Sequence, residues 1–152
     1  MIRAKTCFLA EGVTTDRDTG QISAFRLIQN LRAAAYPISV PKIAFFCLWE
    51  RDGADPSRAR AEFSITLDGR DITRQPVDVD FGQHLMNCCT IWIADLGLAM
   101  PGHLVLRAAI SGHQAAEWTL DAGIVPGASL PAPATSHHVY DFGPVSISNG
   151  NA

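Results

Sequence analysis

Four cysteines, five histidines and several closely spaced carboxylates are the residues of this chain whose chemistry could be put to use. Cys7, Cys47, Cys88 and Cys89 all lie within apolar runs, and no two are spaced as C-x-x-C. Thiols attack or bind metal as thiolates, and apolar surroundings disfavour that form, so all four read as small buried hydrophobes that stay reduced. Adjacent strand residues point to opposite faces, so Cys88 and Cys89 are not expected to share a metal. Asp78 and Asp80 would share one strand face, as paired acids do. Their alternation with Val77, Val79 and Phe81 makes that face a solvated one. Asp16 and Asp18 ahead of Gly20 resemble the start of a calcium loop, but the remaining ligands and the distal Glu are missing, so a turn is expected.

His84, His103 and His113 fall at or near turns, where solvated histidine is the ordinary state. His137 and His138 with Asp141 bring imidazole and carboxylate together. They sit in a proline-rich segment without a rigid frame, and no metal is assigned to them. Trp49, Trp92 and Trp118 lie on separate predicted strands and read as core residues; exposed on one face, they would stack on sugar rings instead. No G-x-S-x-G elbow, H-E-x-x-H pair or phosphate-binding glycine loop is present. No catalytic residue and no cofactor is therefore assigned.

The elements that would position these residues are strands. From Pro101-Gly102, Leu104, Leu106, Ala108 and Ile110 alternate with His103, Val105, Arg107 and Ala109. A Gly112 turn follows, and alternation resumes with Ala116, Trp118 and Leu120. Period two around a short glycine-containing turn predicts a β-hairpin. Ala59, Ala61, Phe63, Ile65 and Leu67 predict a strand apolar on one side, closed by an Asp68-Gly69 turn with positive φ. Residues 42–50 are apolar on both faces, which suits a central strand covered on both sides; Phe46 and Leu48 on its second face are candidates to meet a partner chain. A first strand is expected over 2–10, with Ile2, Ala4, Thr6, Phe8 and Ala10 on one face. Shorter strands are expected over 77–81 and 88–95. Residues 21–35 carry Ile22, Phe25, Ile28 and Leu31 at intervals of three, a helical spacing.

The order of these features resembles an uncharacterised bacterial family of small β-sandwich domains of unknown function. The matching pieces are residues 8–11, Thr19-Gly20, residues 22–28, the bend between Pro37 and Pro41, residues 43–50 and residues 101–120. The resemblance spans about residues 2–122 and consists of strand and turn punctuation. It implies a β-sandwich and a strand, not a helix, over about 22–31, and it brings no catalytic residue with it. Asp68-Gly69 fits the family pattern; Cys88-Cys89 departs from it.

Together these readings predict an all-β chain: an antiparallel, immunoglobulin-like β-sandwich of about eight strands over residues 1–123, with an extended C-terminal tail over 124–152. Pro126, Pro131 and Pro133 mark the first part of that tail as a spacer. Its second part carries Val139, Tyr140, Phe142, Val145 and Ile147, which are read as partner-binding residues, docking on a sheet edge or groove of this chain or a neighbour.

The charge pattern narrows the partners. The 12 Lys and Arg are scattered among 15 Asp and Glu, with a net charge of −3, so nucleic acid is not an expected partner. No apolar run approaches the roughly 20 residues that span a bilayer. The apolar stretch of residues 7–10 is too short for a signal sequence, so no membrane association and a cytoplasmic location are expected. The function expected is a non-catalytic structural or protein-interaction module with a protein partner or self-association. A carbohydrate-binding sandwich and, further off, a Cys/His hydrolase are the alternatives.

Overall fold

The computed structural model describes residues 1–127 and the backbone of 146–151. Ten strands and no helix run through them: β1 (Arg3–Thr15), β2 (Ile22–Leu27), β3 (Asn30–Ala33), β4 (Ile38–Glu50), β5 (Arg58–Leu67), β6 (Arg70–Asp80), β7 (Met86–Leu98), β8 (Gly102–Ile110), β9 (Ala116–Ile124) and β10 (Ser146–Asn151). The first sheet has the order β10-β7-β4-β1-β2 and the second β3-β9-β8-β5-β6. The all-β expectation holds. The expectation of purely antiparallel strands does not, because β3 runs parallel to β9. The strands also number ten among the described residues, where about eight were expected.

One apolar cluster joins the sheets. Ile43, Phe45, Cys47 and Trp49 of β4 and Cys89, Ile91 and Ile93 of β7 share it with Phe63 and Ile65 of β5 and with Leu104, Leu106 and Leu120. The rings of Phe45 and Phe63, from different sheets, lie 5.6 Å apart between centroids. Each of these residues sits at every second position of its strand, so period two alone places it in the core. The β5–β6 connection is as tight as Asp68-Gly69 predicts: their φ values are 48° and 76°, the positive values a two-residue hairpin turn requires.

The spacing of three in 21–35 does not produce a helix. The segment is β2, then β3, and the break at Ile28 carries the chain from one sheet to the other. Ile28 is buried. Its N–H donates to the Leu9 carbonyl at 2.8 Å on the first-sheet side. Its own carbonyl accepts the Trp118 indole N–H at 3.0 Å on the second-sheet side.

Two irregularities in the first sheet shape everything that follows. A shift of register between Ala4 and Thr6 reverses the facing of β1. Ile2, Ala4, Cys7 and Leu9 therefore face the shared core, while Phe8 and Ala10 face outward; the five residues expected on one face are divided. The second irregularity lies farther along. The β1–β4 ladder stops at Ala10 opposite Ala44, and β1 continues with β2 instead, out to Thr15 opposite Ile22. Just beyond that point on β4 sits Pro41, which has no N–H to extend a ladder. Across from Pro41, between the Val40–Leu96 and Lys42–Ala94 pairs, Asp95 takes a φ of 54°. Arg26, at the same level of the hairpin, takes a φ of 52°.

Freed from β4, the β1–β2 hairpin bends back over the outer face of the first sheet. Val13 is buried in a second cluster with Ala10, Ala44 and Phe46, flanked by Ile22, Leu48, Cys88 and Trp92. Phe46, stacked on Phe8 with centroids 4.7 Å apart, is left only 3% exposed. The second face of β4, a candidate surface for a partner chain, is thus occupied largely by the chain's own hairpin.

Candidate functional site

The bend creates a concavity among the described residues. The hairpin tip (Thr15, Asp16, Arg17, Gly20), the β6–β7 loop (Phe81, Gly82, His84) and the outer face of β7 (Cys88, Thr90, Trp92) enclose a cleft of about 870 Å³, with Val13 and Ile22 against its apolar side. Two stretches far apart in sequence, residues 13–22 and residues 80–92, contribute to it, and only the folding-back of the hairpin brings them together.

The cleft contains carboxylates, but they already have partners. Asp16 Oδ1 accepts the N–H groups of Thr19 at 2.8 Å and Asp18 at 2.9 Å. Asp80 accepts the Gly82 N–H at 2.8 Å and the Arg58 guanidinium at 2.9 Å. These backbone donors, Thr19 for Asp16 and Gly82 for Asp80, hold both carboxyls below their ordinary pKa. Both are therefore ionised and neither is suited to donate a proton near neutral pH. Asp16 and Asp18 form a side-chain-capped turn, and Asp78 and Asp80 lie on the outward face of β6, Asp80 half-buried. Asn87 donates through Nδ2 to the Asp80 carbonyl at 2.7 Å, while its Oδ1 is buried without a partner.

Cys88 and His84 line the same cleft. A thiol nucleophile needs a base within hydrogen-bond reach; among the described residues Cys88 makes no such bond, and burial raises its pKa, the reverse of activation. Burial likewise raises Cys7, and pushes Cys89 to about 11 and Cys47 well above the ordinary thiol value. Cys88 and Cys89 do point to opposite faces, one into each apolar cluster. Of the other histidines, His113 accepts the Ile2 N–H through Nδ1 at 3.0 Å, and His103 lies 3.1 Å from Asp121 at the surface. Among the described residues no three His, Cys, Asp or Glu side chains are grouped to hold a metal.

The tryptophans are dispersed. Trp49 is buried in the core, Trp118 is tied to Ile28, and Trp92 alone lines the cleft, with the Lys42 ammonium 4.4 Å from its ring centroid. Of the residues read as partner-binding, Val139, Tyr140, Phe142 and Val145 lie outside the described residues, as do His137, His138 and Asp141. Ile147 lies on β10, in register with Ile93 of β7.

A further feature, without a strand on its outer side among the described residues, is β2. It closes one edge of the first sheet. From Ser23 to its end every residue is exposed, with Phe25 and Leu27 at 55% and 54%. Sequence reading passes over both the cleft and this ribbon. The one signal for them is Pro41, expected in a bend just ahead of the strand over 42–50; β4 in fact runs through it from Ile38, and a proline within a strand marks a place where the pairing breaks.

No helix among the described residues is long and apolar enough to cross a membrane. Compared with known proteins, the chain matches no family model and no curated protein.

Proposed function

We propose that the chain is a non-catalytic, immunoglobulin-like β-sandwich that acts as a structural or protein-interaction module within a cytoplasmic assembly. The observation that carries this reading is β2, an edge strand exposed on both faces that presents Phe25 and Leu27 to solvent. A free strand edge with apolar side chains is a ready template for another chain, and monomeric proteins usually blunt such edges with charge or cover them. The immunoglobulin-like part of the reading is supported by strand order. Strands β4 and β7 pair in one sheet and β5, β8 and β9 in the other, as strands B and E and strands C, F and G do in that fold. Four unpaired cysteines accord with a reducing compartment.

The test is Leu27→Lys, which places a charge on the free edge without touching the core. Cross-linking in the native host, followed by identification of the captured chains, should recover a partner or a second copy with the natural protein and lose it with Leu27→Lys. Equal recovery with both would sink the role given to β2.

A carbohydrate-binding reading draws on Trp92, with Thr90 and Asp80 beside it in the cleft. It is the weaker reading, because Trp49 and Trp118 do not extend Trp92 into an exposed aromatic row.

A further inference from the structure

We propose that Cys7, Cys47 and Cys89 form an oxidation site, at which Cys47 closes a reversible disulfide with a neighbouring thiol of the row and Cys7 admits the oxidant. The inference goes beyond the assembly reading above and does not rest on it.

The three residues are far apart in sequence, but their strands β1, β4 and β7 are adjacent in the first sheet. Cys7 is the register partner of Cys47, and Cys47 is in turn the register partner of Cys89. Both ladders are regular at this level. Thr6–Leu48 and Phe8–Phe46 flank the first pair, and Leu48–Cys88 and Phe46–Thr90 flank the second. All three side chains turn to the shared core, Cys7 at its margin, whereas Cys88 turns to the outer cluster.

Register partners in an antiparallel ladder lie about 5.5 Å apart between Cα atoms where the pair is hydrogen-bonded and about 4.5 Å apart where it is not. The N–H and C=O of a strand residue point to one side, so Cys47 has one pair of each kind. Both spacings fall within the roughly 4.4–6.8 Å that a disulfide spans. Cys47 is therefore placed to bond to either neighbour while the strands stay in register.

Access separates the three. Cys47 and Cys89 are buried, while Cys7 is partly buried and donates its thiol hydrogen to the Glu117 carbonyl at 3.1 Å. A small organic disulfide, RSSR, therefore enters at Cys7. The Cys7 thiolate attacks one sulfur of RSSR, the S–S bond breaks and RS⁻ leaves, so that Cys7 carries a mixed disulfide. The Cys47 thiolate then attacks the Cys7 sulfur, the second RS⁻ leaves and the Cys7–Cys47 bond forms. The protons given up by the two cysteines pass to the two RS⁻ groups. Two protein thiols are thus oxidised and RSSR is reduced to two RSH. Attack of Cys89 on the Cys47 sulfur, with Cys7 leaving, moves the bond along the row. Either product contains Cys47 and needs Cys7 for its formation. Burial holds all three thiols above their ordinary pKa, so closure is slow at neutral pH and accelerates as pH rises. A bond of this kind in a reducing compartment is transient.

The test oxidises the natural full-length protein, under native conditions, with 2-hydroxyethyl disulfide at neutral and at mildly alkaline pH. Free thiols are then blocked, and the protein is digested without reduction and mapped by mass spectrometry. The expected product is a single chain in which Cys47 is linked to Cys7 or to Cys89 and Cys88 remains free. It should form faster at the higher pH and be reversed by a dithiol reductant. Cys88→Ser, which removes the ambiguity of the adjacent pair, should give the same link. Cys7→Ser, checked by its melting curve to be folded, should slow closure at least about tenfold, because the accessible thiol is gone. Four free thiols after prolonged oxidation would overturn the proposal, as would a mixed disulfide at Cys7 that goes no further. So would a link that omits Cys47, uses Cys88 or joins two chains, or equal rates with and without Cys7.

Discussion

The indole N–H of Trp118 donates to the carbonyl of Ile28, 3.0 Å away, where the chain passes from the first sheet to the second. Without that donor the half-buried end of the crossing has an unpaired carbonyl. Trp118→Phe keeps a ring in place and removes only the bond, so it should destabilise the fold by about 1–2 kcal/mol. Trp118→Ala should cost about 3–5 kcal/mol, since it also leaves a cavity. Urea unfolding of the three proteins checks both values; equal stability of the Phe variant and the parent would mean that the bond contributes nothing.

The hairpin is held on the outer face by Val13. Val13→Asp puts a charge into an apolar cluster, and the hairpin should lift from it. Phe8 and Phe46 would then meet solvent, and binding of an apolar dye should rise well above that of the parent, while far-ultraviolet dichroism stays that of a strand protein. A dye signal identical to the parent's would show that Phe46 is shielded by something other than the hairpin.

Gly102 is pressed against the Asp68 turn. Asp68 accepts the His103 N–H at 2.8 Å, and a Cβ at position 102 would lie 2.5 Å from its carboxylate oxygen. Gly102→Ala should therefore displace Asp68 and lower the melting temperature by several degrees, on the order of 1 kcal/mol. The double variant Gly102→Ala with Asp68→Gly should recover part of the loss, because the clash and the strained φ of Asp68 are removed together.

Stability should decline toward both ends of the pH scale, for opposite reasons. Asp16 and Asp80 have pKa values depressed by backbone N–H donors. Their contribution is complete above the unfolded value, about 4, and is lost as pH falls through the folded one. Asp80→Asn should make the fall in melting temperature below pH 4 shallower. Cys89 is raised by burial to about 11 from 9.0. Its contribution is complete below 9.0 and lost as pH rises toward about 11, because the unfolded thiol ionises first. Cys89→Ala should flatten that alkaline limb. A thiol reagent at neutral pH should leave Cys47 and Cys89 unmodified until the protein is unfolded; rapid labelling of either by mass spectrometry would contradict their burial.

What the sequence determined by itself is local. Alternation in 59–67 and 101–120 defines β5, β8 and β9 and the side each turns to the core, because a strand's side chains obey period two whatever lies beside it. The two-sided apolar run of β4 marked a strand covered on both faces, and Asp68-Gly69 its type of turn, since positive φ is a property of the residues present. The spacing of three in 21–35 marks no helix face, because apolar residues there serve two different sheets; the segment is strand, as the resemblance implied, but broken into β2 and β3. Only the tertiary structure decided where each ladder ends and what lies across from it. The register shift after Ala4, the departure of β1 from β4 near Pro41, the parallel pairing of β3 with β9 and the seat of β10 on β7 all depend on partners distant in sequence. The cleft follows from the second of these, since its walls meet only when the hairpin folds back. Periodicity says which residues share a face; the hydrogen-bonding groups of another strand decide which faces meet.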